Sequence, residues 1–192
     1  MQALSQSVEY DWRMTIIDDT SHLGSAPSAW VVRFASLVAS EGRVLDVACG
    51  AGRHARLFAS LGHHVDAVDR DVGGFVNVPK SVRLLQEDIE ASPWPYIGKK
   101  FTGVVVTNYL YRPLITTLIG CVAPGGAFIY ETFAAGNERY GRPARAEFLL
   151  QPGELLEMVR GQLRVLAFED IYVDLPKPAM VQRIAARRDV AA

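Results

Sequence analysis

Short apolar runs along this chain alternate with segments whose apolar positions recur at helical spacing, and that alternation predicts an α/β fold around a largely parallel sheet. The first run, Arg43–Cys49 (RVLDVAC), predicts a strand ended by Gly50-Ala51-Gly52. Ala55, Leu57, Phe58 and Leu61 form the apolar side of a helix over Arg53–Leu61, closed by Gly62, a residue that tolerates the left-handed backbone at a helix end. His64–Asp69 and Val82–Glu87 predict the second and third strands. Between them Asp71–Ser81, with Gly73, Gly74 and Pro79, is too short and too broken for a full crossover helix. Phe101–Asn108 has the continuous apolar centre of a fourth strand buried on both faces. A helix over Pro113–Val122, a turn at Pro124-Gly125-Gly126 and a fifth strand over Ala127–Phe133 follow.

Ala134–Leu150 reads as a long polar loop, and Gln151–Gly161 as a short helix. Leu163–Val173 and Met180–Arg187 are β-type runs with no helix between them. They must pair antiparallel, because a parallel crossover needs a dozen or more residues. Ahead of the first strand, Ser28–Ser40 predicts a helix with Trp30, Val31, Phe34 and Val38 on one face. Without repeats or linkers, residues 1–192 are expected to form one domain, with 1–42 as an amino-terminal cap and helix and 43–189 as the core.

Composition narrows the classes. Nearly half of the 192 residues are apolar, enough for a substantial core, and 20 basic against 21 acidic residues leave a net charge of −1. That balance argues against a dedicated binder of nucleic-acid backbones, which needs a basic excess. Two cysteines, Cys49 and Cys121, cannot build a secreted disulfide framework, and no His/Cys spacing suits a metal. His63 and His64 are adjacent at a strand start and point to opposite faces, so they are no ligand pair. Glu9, Asp11, Asp18 and Asp19 interrupt the start of the chain, and no apolar stretch approaches the ~20 residues of a membrane span. A soluble, cytoplasmic protein without membrane partners is the expectation.

In an open α/β sheet, chemistry sits at the carboxyl ends of the strands. Four polar stations stand there in order: Asp46 to Gly52, then Asp69, then Asp88 with Ile89, then Asn108-Tyr109. Small residues in the first let a ligand approach the backbone and the free N–H groups of a helix start. A carboxylate at Asp69 can accept from both hydroxyls of a ribose. The pattern Gly50-x-Gly52-x-x-Ala55 with Asp69 also satisfies a nicotinamide-dinucleotide fingerprint. Against that reading, Asp46 lies inside the first strand, no further substrate domain follows, and the chain ends in an antiparallel pair.

The run V-L-D-V-A-C-G-A-G, the acidic end of the second strand, Asp88 and the Pro-Gly-Gly ahead of the fifth strand resemble a class I S-adenosylmethionine-dependent methyltransferase. Ala48-Cys49-Gly50-Ala51-Gly52-Arg53 and Asn108-Tyr109-Leu110 resemble the small bacterial tellurite-resistance type. The resemblance covers roughly Arg43 to Arg187. It implies a Rossmann-like, doubly wound, seven-stranded and mostly parallel sheet, and S-adenosylmethionine as cofactor. It also implies cofactor contacts by Asp46, Ala48, Gly50, Gly52, Arg53, Asp69, Arg70, Asp88, Ile89 and Asn108. Tyr10-Asp11-Trp12-Arg13 resembles an entry segment that folds over the cofactor in related enzymes, although its order departs from their pattern.

Methyl transfer from a sulfonium needs alignment more than it needs a base. Glu131, Tyr109 and Tyr111 are the candidates for a catalytic part. Glu131 in particular must either face the site or pair with an arginine such as Arg112 or Arg142, because a buried unpaired carboxylate is costly. Arg112, Tyr140, Arg142, Trp12 and Arg13 are candidates for substrate contact. The loop arginines Arg139, Arg142 and Arg145 suit an anionic group. Arg183, Arg187 and Arg188 read as a solvated strand rim. The Asn/Asp-Pro-Pro-aromatic motif of some base-modifying methyltransferases is absent after the fourth strand, which together with the neutral charge favours a small-molecule acceptor over nucleic acid. A module that binds the cofactor without turnover remains the alternative.

Overall fold

The structure, a computed structural model, describes residues 26–190. Seven strands form one sheet in the order β3-β2-β1-β4-β5-β7-β6. They are β1 (Arg43–Val47), β2 (His64–Asp69), β3 (Val82–Gln86), β4 (Phe101–Thr107), β5 (Val122–Phe133), β6 (Arg164–Val173) and β7 (Ala179–Arg187). The first five are parallel, and β7 runs antiparallel to both β5 and β6. The mostly parallel α/β architecture and its closing antiparallel pair are therefore as expected.

Helices α1 (Ala29–Phe34) and α2 (Arg53–Ser60) cover one face of the sheet, burying Trp30, Val31, Ala55 and Phe58 against Val44, Val65, Val105 and Ile129. On the other face α3 (Ile115–Gly120) and α4 (Glu154–Val159) pack Leu118, Ile119, Leu155 and Val159 against Leu45, Val104, Phe128 and Ile184. Ser28 opens α1 as its cap, its Oγ accepting from the Trp30 N–H at 3.1 Å.

Two local departures have identifiable causes. The helix expected over Ser28–Ser40 stays helical only to Phe34, passes through a 3-10 turn over Ala35–Leu37, and becomes extended at Val38. Val38 leaves the helix to pack on β4, where a Cβ at Gly103 would meet Val38 Cγ2 at 2.7 Å. The Pro124-Gly125-Gly126 stretch is a bulge within β5 and not a turn before it: Phe101 pairs with Val122, and Gly103 already with Ala127. A side chain at Gly126 would strike the Ala123 carbonyl oxygen at 2.8 Å.

The arginines expected on a solvated rim hold the interior instead. Arg188 donates to the carbonyls of Ile119 and Val122, closing the end of α3, and Arg187 donates to Leu37 O. Arg183 pairs with Glu169 and Glu131 and lies over the Trp30 ring. Long guanidinium stems run along apolar surface here while their heads find carbonyls and carboxylates. No helix among the described residues is long and apolar enough to cross a membrane.

Candidate functional site

The carboxyl ends of β1 to β5 open into one cavity of about 690 Å3. Its β1–β3 side is lined by Ala48, Cys49, Gly50, Asp69, Asp88 and Ile89, with Arg53, Arg70, Glu87 and Glu90 at the margins. Its β4–β5 side is lined by Thr107, Asn108, Tyr109, Leu110, Thr132 and Phe133, and the loop beyond β5 adds Pro143 and Phe148. The four polar stations thus share one hollow.

Two non-glycine residues at this rim have left-handed backbone, Ala48 (φ 54°) and Asn108 (φ 55°), at the ends of adjacent strands β1 and β4. Such conformations are costly and are kept where the surroundings impose them. Both turn the chain sharply out of the sheet and bring backbone into the cavity. Asp69 is held firmly: its Oδ2 accepts from the Gly50 N–H at 2.8 Å and its Oδ1 from the Asp71 N–H at 2.9 Å. Each oxygen keeps a lone pair for a further donor. A Cβ on Gly50 would meet no atom within 4 Å, so that glycine faces open space.

Asp46 and Gly52, both expected at the cofactor, lie behind the lining. Asp46 is buried, and its Oδ2 accepts from the Ala55 N–H at 2.9 Å, which ties β1 to the first turn of α2. Gly52 caps α2 at φ 79°, and a Cβ there would fall 2.2 Å from the Phe75 ring, so its lack of a side chain serves packing. Burial pushes the Asp46 carboxyl up to about 7, against the pull of the Ala55 N–H and Arg53, with Asp69 adding to the rise. The Cys49 thiol is likewise pushed up by burial and by Asp46 and Asp69, which leaves it an inert part of the wall.

His54, beside it, is buried and neutral. Its Nε2 accepts from the Ser28 N–H at 3.1 Å, so the ring proton sits on Nδ1, which lies 3.3 Å from Thr107 Oγ1. Burial, then the Arg53 charge, lowers its pKa to about 3. Asp46 and His54 make opposite contributions to stability against pH. Asp46 has a raised folded pKa, so it favours folding below about 4 and loses that contribution as pH rises towards 7. His54 has a depressed one, so it favours folding above about 6.5 and loses that as pH falls towards 3. Between pH 4 and 6.5 the two slopes oppose, each at most about 1.4 kcal/mol per pH unit. The expected result is a melting temperature for Asp46→Asn that falls more steeply than the parent's from pH 6.5 to 4.5 in calorimetric scans. Parallel curves would count against the opposition.

The remaining candidates separate. Tyr109 lines the cavity; its hydroxyl is buried, and burial followed by the Glu90 charge holds its pKa above the usual value. Tyr111 and Glu131 lie outside the lining. Glu131 shares the sheet face of its neighbour Thr107, accepts from Ser28 Oγ at 2.8 Å and pairs with Arg183 at 3.3 Å, so its arginine is neither Arg112 nor Arg142. Arg112 is a brace: it pairs with Glu154 through Nε (2.6 Å) and Nη2 (3.0 Å) and donates to the carbonyls of Glu147 and Leu149. Tyr140 packs near Tyr172, with ring centroids 5.0 Å apart, and Arg142 lines a separate hollow on the loop. Trp12 and Arg13 lie outside the described residues. No group of three or more His, Cys, Asp or Glu among the described residues could hold a metal ion.

Sequence reading missed Thr107, Thr132, Phe133, Pro143 and Phe148 as lining. The one available signal was position: Thr107, Thr132 and Phe133 stand at the carboxyl ends of β4 and β5, whereas Pro143 and Phe148 lie in the loop beyond.

Over residues 25–92 the chain matches the family model described as tellurite resistance protein TehB. No relative was found among curated proteins. Among solved structures it is similar to TehB from Haemophilus influenzae, with TM-score 0.72, 19% identity and 86% of this chain covered. This chain spans 64% of the length of that protein. It is also similar to a TehB-like SAM-dependent methyltransferase from Corynebacterium glutamicum (TM-score 0.62, 15% identity, 86% of this chain and 90% of that one). A third is the glycopeptide N-methyltransferase MtfA complexed with S-adenosyl-L-methionine (TM-score 0.57, 19% identity, 84% and 92%). The chain has the fold of the class I S-adenosylmethionine-dependent methyltransferases, and over residues 25–92 its sequence is like that of their tellurite-resistance type.

Proposed function

We propose that this protein is an S-adenosylmethionine-dependent methyltransferase that acts on a small-molecule acceptor by in-line displacement. The observation that carries the reading is Asp69, fixed by two backbone N–H groups at the rim of a cavity that also holds Asp88, Ile89, Gly50 and Asn108. In this reading Asp69 takes the ribose hydroxyls, and Asp88 with Ile89 frames the adenine. The bare backbone at Gly50 and the sharp turns at Ala48 and Asn108 admit the methionine end. Bound there, the cofactor supplies an electrophilic methyl group on a cationic sulfur.

The chain's own work is then positional. The acceptor lies between Asn108-Tyr109 and Thr132-Phe133, with Pro143 and Phe148 keeping water away. No side chain is needed as a base. Tyr109, with its raised pKa, stays protonated, while Glu131 serves the Ser28 and Arg183 contacts beneath. Two free, buried cysteines fit a reducing cytoplasm. Titration with S-adenosylhomocysteine should give saturable binding, and methyl-labelled S-adenosylmethionine should transfer label to a member of a panel of thiols, amines and carboxylic acids. An absence of binding removes the proposal, whereas binding with no transfer to any class favours a cofactor-binding module.

A further inference from the structure

The loop between β5 and α4 carries a second hollow, of about 610 Å3, lined by Arg142, Pro143, Ala144, Arg145 and Phe148. Pro143 and Phe148 also line the main cavity, so the two compartments share a wall. The loop is pinned at both ends. Near its start Asn137 is buried; its Nδ2 donates to Pro143 O at 2.9 Å, and its Oδ1 accepts from the Met180 N–H of β7 at 3.2 Å. Near its end Arg112 holds the carbonyls of Glu147 and Leu149 at 2.7 and 2.9 Å. The hollow therefore sits on an anchored scaffold.

Its chemistry is divided. Pro143, Ala144 and Phe148 give an apolar floor, and two guanidiniums stand at its edge. Arg145 lies over the Phe148 ring at 5.5 Å and pairs with Glu147. Arg142 has no carboxylate partner among the described residues. The far end of the main cavity carries mixed charge, with Asp69, Glu87, Asp88 and Glu90 beside Arg53 and Arg70. In the proposed reading the cofactor takes that end, so the two guanidiniums are the charged partners left to orient an acceptor.

We infer that this second hollow holds the carboxylate end of an organic-acid acceptor with an apolar body, whose reactive end passes Phe148 into the main cavity. The inference rests on the methyltransferase reading and names the acceptor class for that site. A carboxylate matches the forked donors of a guanidinium, and an apolar body covers Phe148, Pro143 and Ala144. A bare oxyanion can pair with the guanidiniums but has no apolar body to cover Phe148, Pro143 and Ala144.

The test uses the full chain saturated with S-adenosylhomocysteine, titrated by NMR with octanoate and 3-phenylpropionate, with octanamide and 3-phenylpropionamide as neutral controls, and with selenite. Each acid should bind at least ten-fold more tightly than its amide. Arg142→Ala/Arg145→Ala should abolish that preference and leave the S-adenosylhomocysteine affinity unchanged, and Phe148→Ala should weaken acid and amide alike. Equal binding of acid and amide overturns the inference, as does a preference that survives the double substitution. Selenite binding as tight as the acids and equally dependent on the arginines also overturns it, in favour of a simple anion site. Failure of S-adenosylhomocysteine itself to bind removes the methyltransferase reading, and is told apart because that titration comes first.

Discussion

Asp69→Ala is expected to weaken S-adenosylmethionine binding about 100-fold while the protein stays folded. In the proposed site this carboxylate accepts from two ribose hydroxyls, and hydrogen bonds to a charged group contribute about 1.5–3 kcal/mol each. Losing both removes ~3 kcal/mol, which is two powers of ten in the dissociation constant. A second loss adds to the first. The same carboxylate fixes the Gly50 N–H at 2.8 Å and the Asp71 N–H at 2.9 Å, so its removal also loosens the rim that the methionine end passes over. Those N–H groups lie near solvent and find water, so little stability should be lost. Asp69→Asn keeps one good acceptor and is expected to lose about ten-fold. Isothermal titration of the three proteins, with melting curves as the folding control, decides the matter. An alanine variant that binds within three-fold of the parent would remove Asp69 from the site.

The strands and the first half of the site were legible because each is encoded locally. An apolar run such as Val104-Val105-Val106 reads as a buried strand wherever it sits, and Asp69 and Asp88 stand where such runs end. A side chain at the end of a parallel strand projects into the cleft above the sheet almost regardless of detail. The β4–β5 half lacked that advantage. Glu131 looked sharpest because it is a carboxylate in an apolar strand, yet Ser28 and Arg183 engage it outside the lining, while its neighbour Thr132 and its β4 partner Thr107 line the cavity. A bulge at Pro124–Gly126 lies inside that strand and shifts its pairing, and no local pattern announces it. Pro143 and Phe148 reach the site only because Asn137 and Arg112 pin the loop, through contacts as distant in sequence as Asn137 to Met180 and Arg112 to Glu147. Arg112 itself reads as a substrate residue until Glu154 is seen to occupy it.

Gly52 shows how one motif position can do a different job from its neighbour, and it carries the largest expected loss of stability. Gly50 and Gly52 both have positive φ, at 52° and 79°, so alanine at either costs about 1 kcal/mol of backbone strain. Beyond that they diverge. Around Gly50 nothing lies within 4 Å of an added Cβ, but at Gly52 the Phe75 ring carbons stand at 2.2–2.4 Å. Phe75 cannot easily retreat, because it is buried and the Arg56 guanidinium lies 4.7 Å over its ring. Arg56 is bound in turn to the carbonyls of Val76 and Asn77. Forcing a methyl group into a filled core adds about 1–3 kcal/mol. Gly52→Ala should therefore lose ~2–4 kcal/mol in all, a fall in melting temperature of about 5–15 °C for a chain of this size. Gly50→Ala should fall by only about 2–4 °C, yet lose cofactor affinity at least ten-fold, since its methyl group projects into the open hollow. Phe75→Ala is the cross-check: it opens a cavity and is destabilising alone, but in that background Gly52→Ala should cost only its backbone strain. If the double-substituted protein instead lost the full sum of the two single effects, the collision with Phe75 would not be the reason that position 52 is glycine.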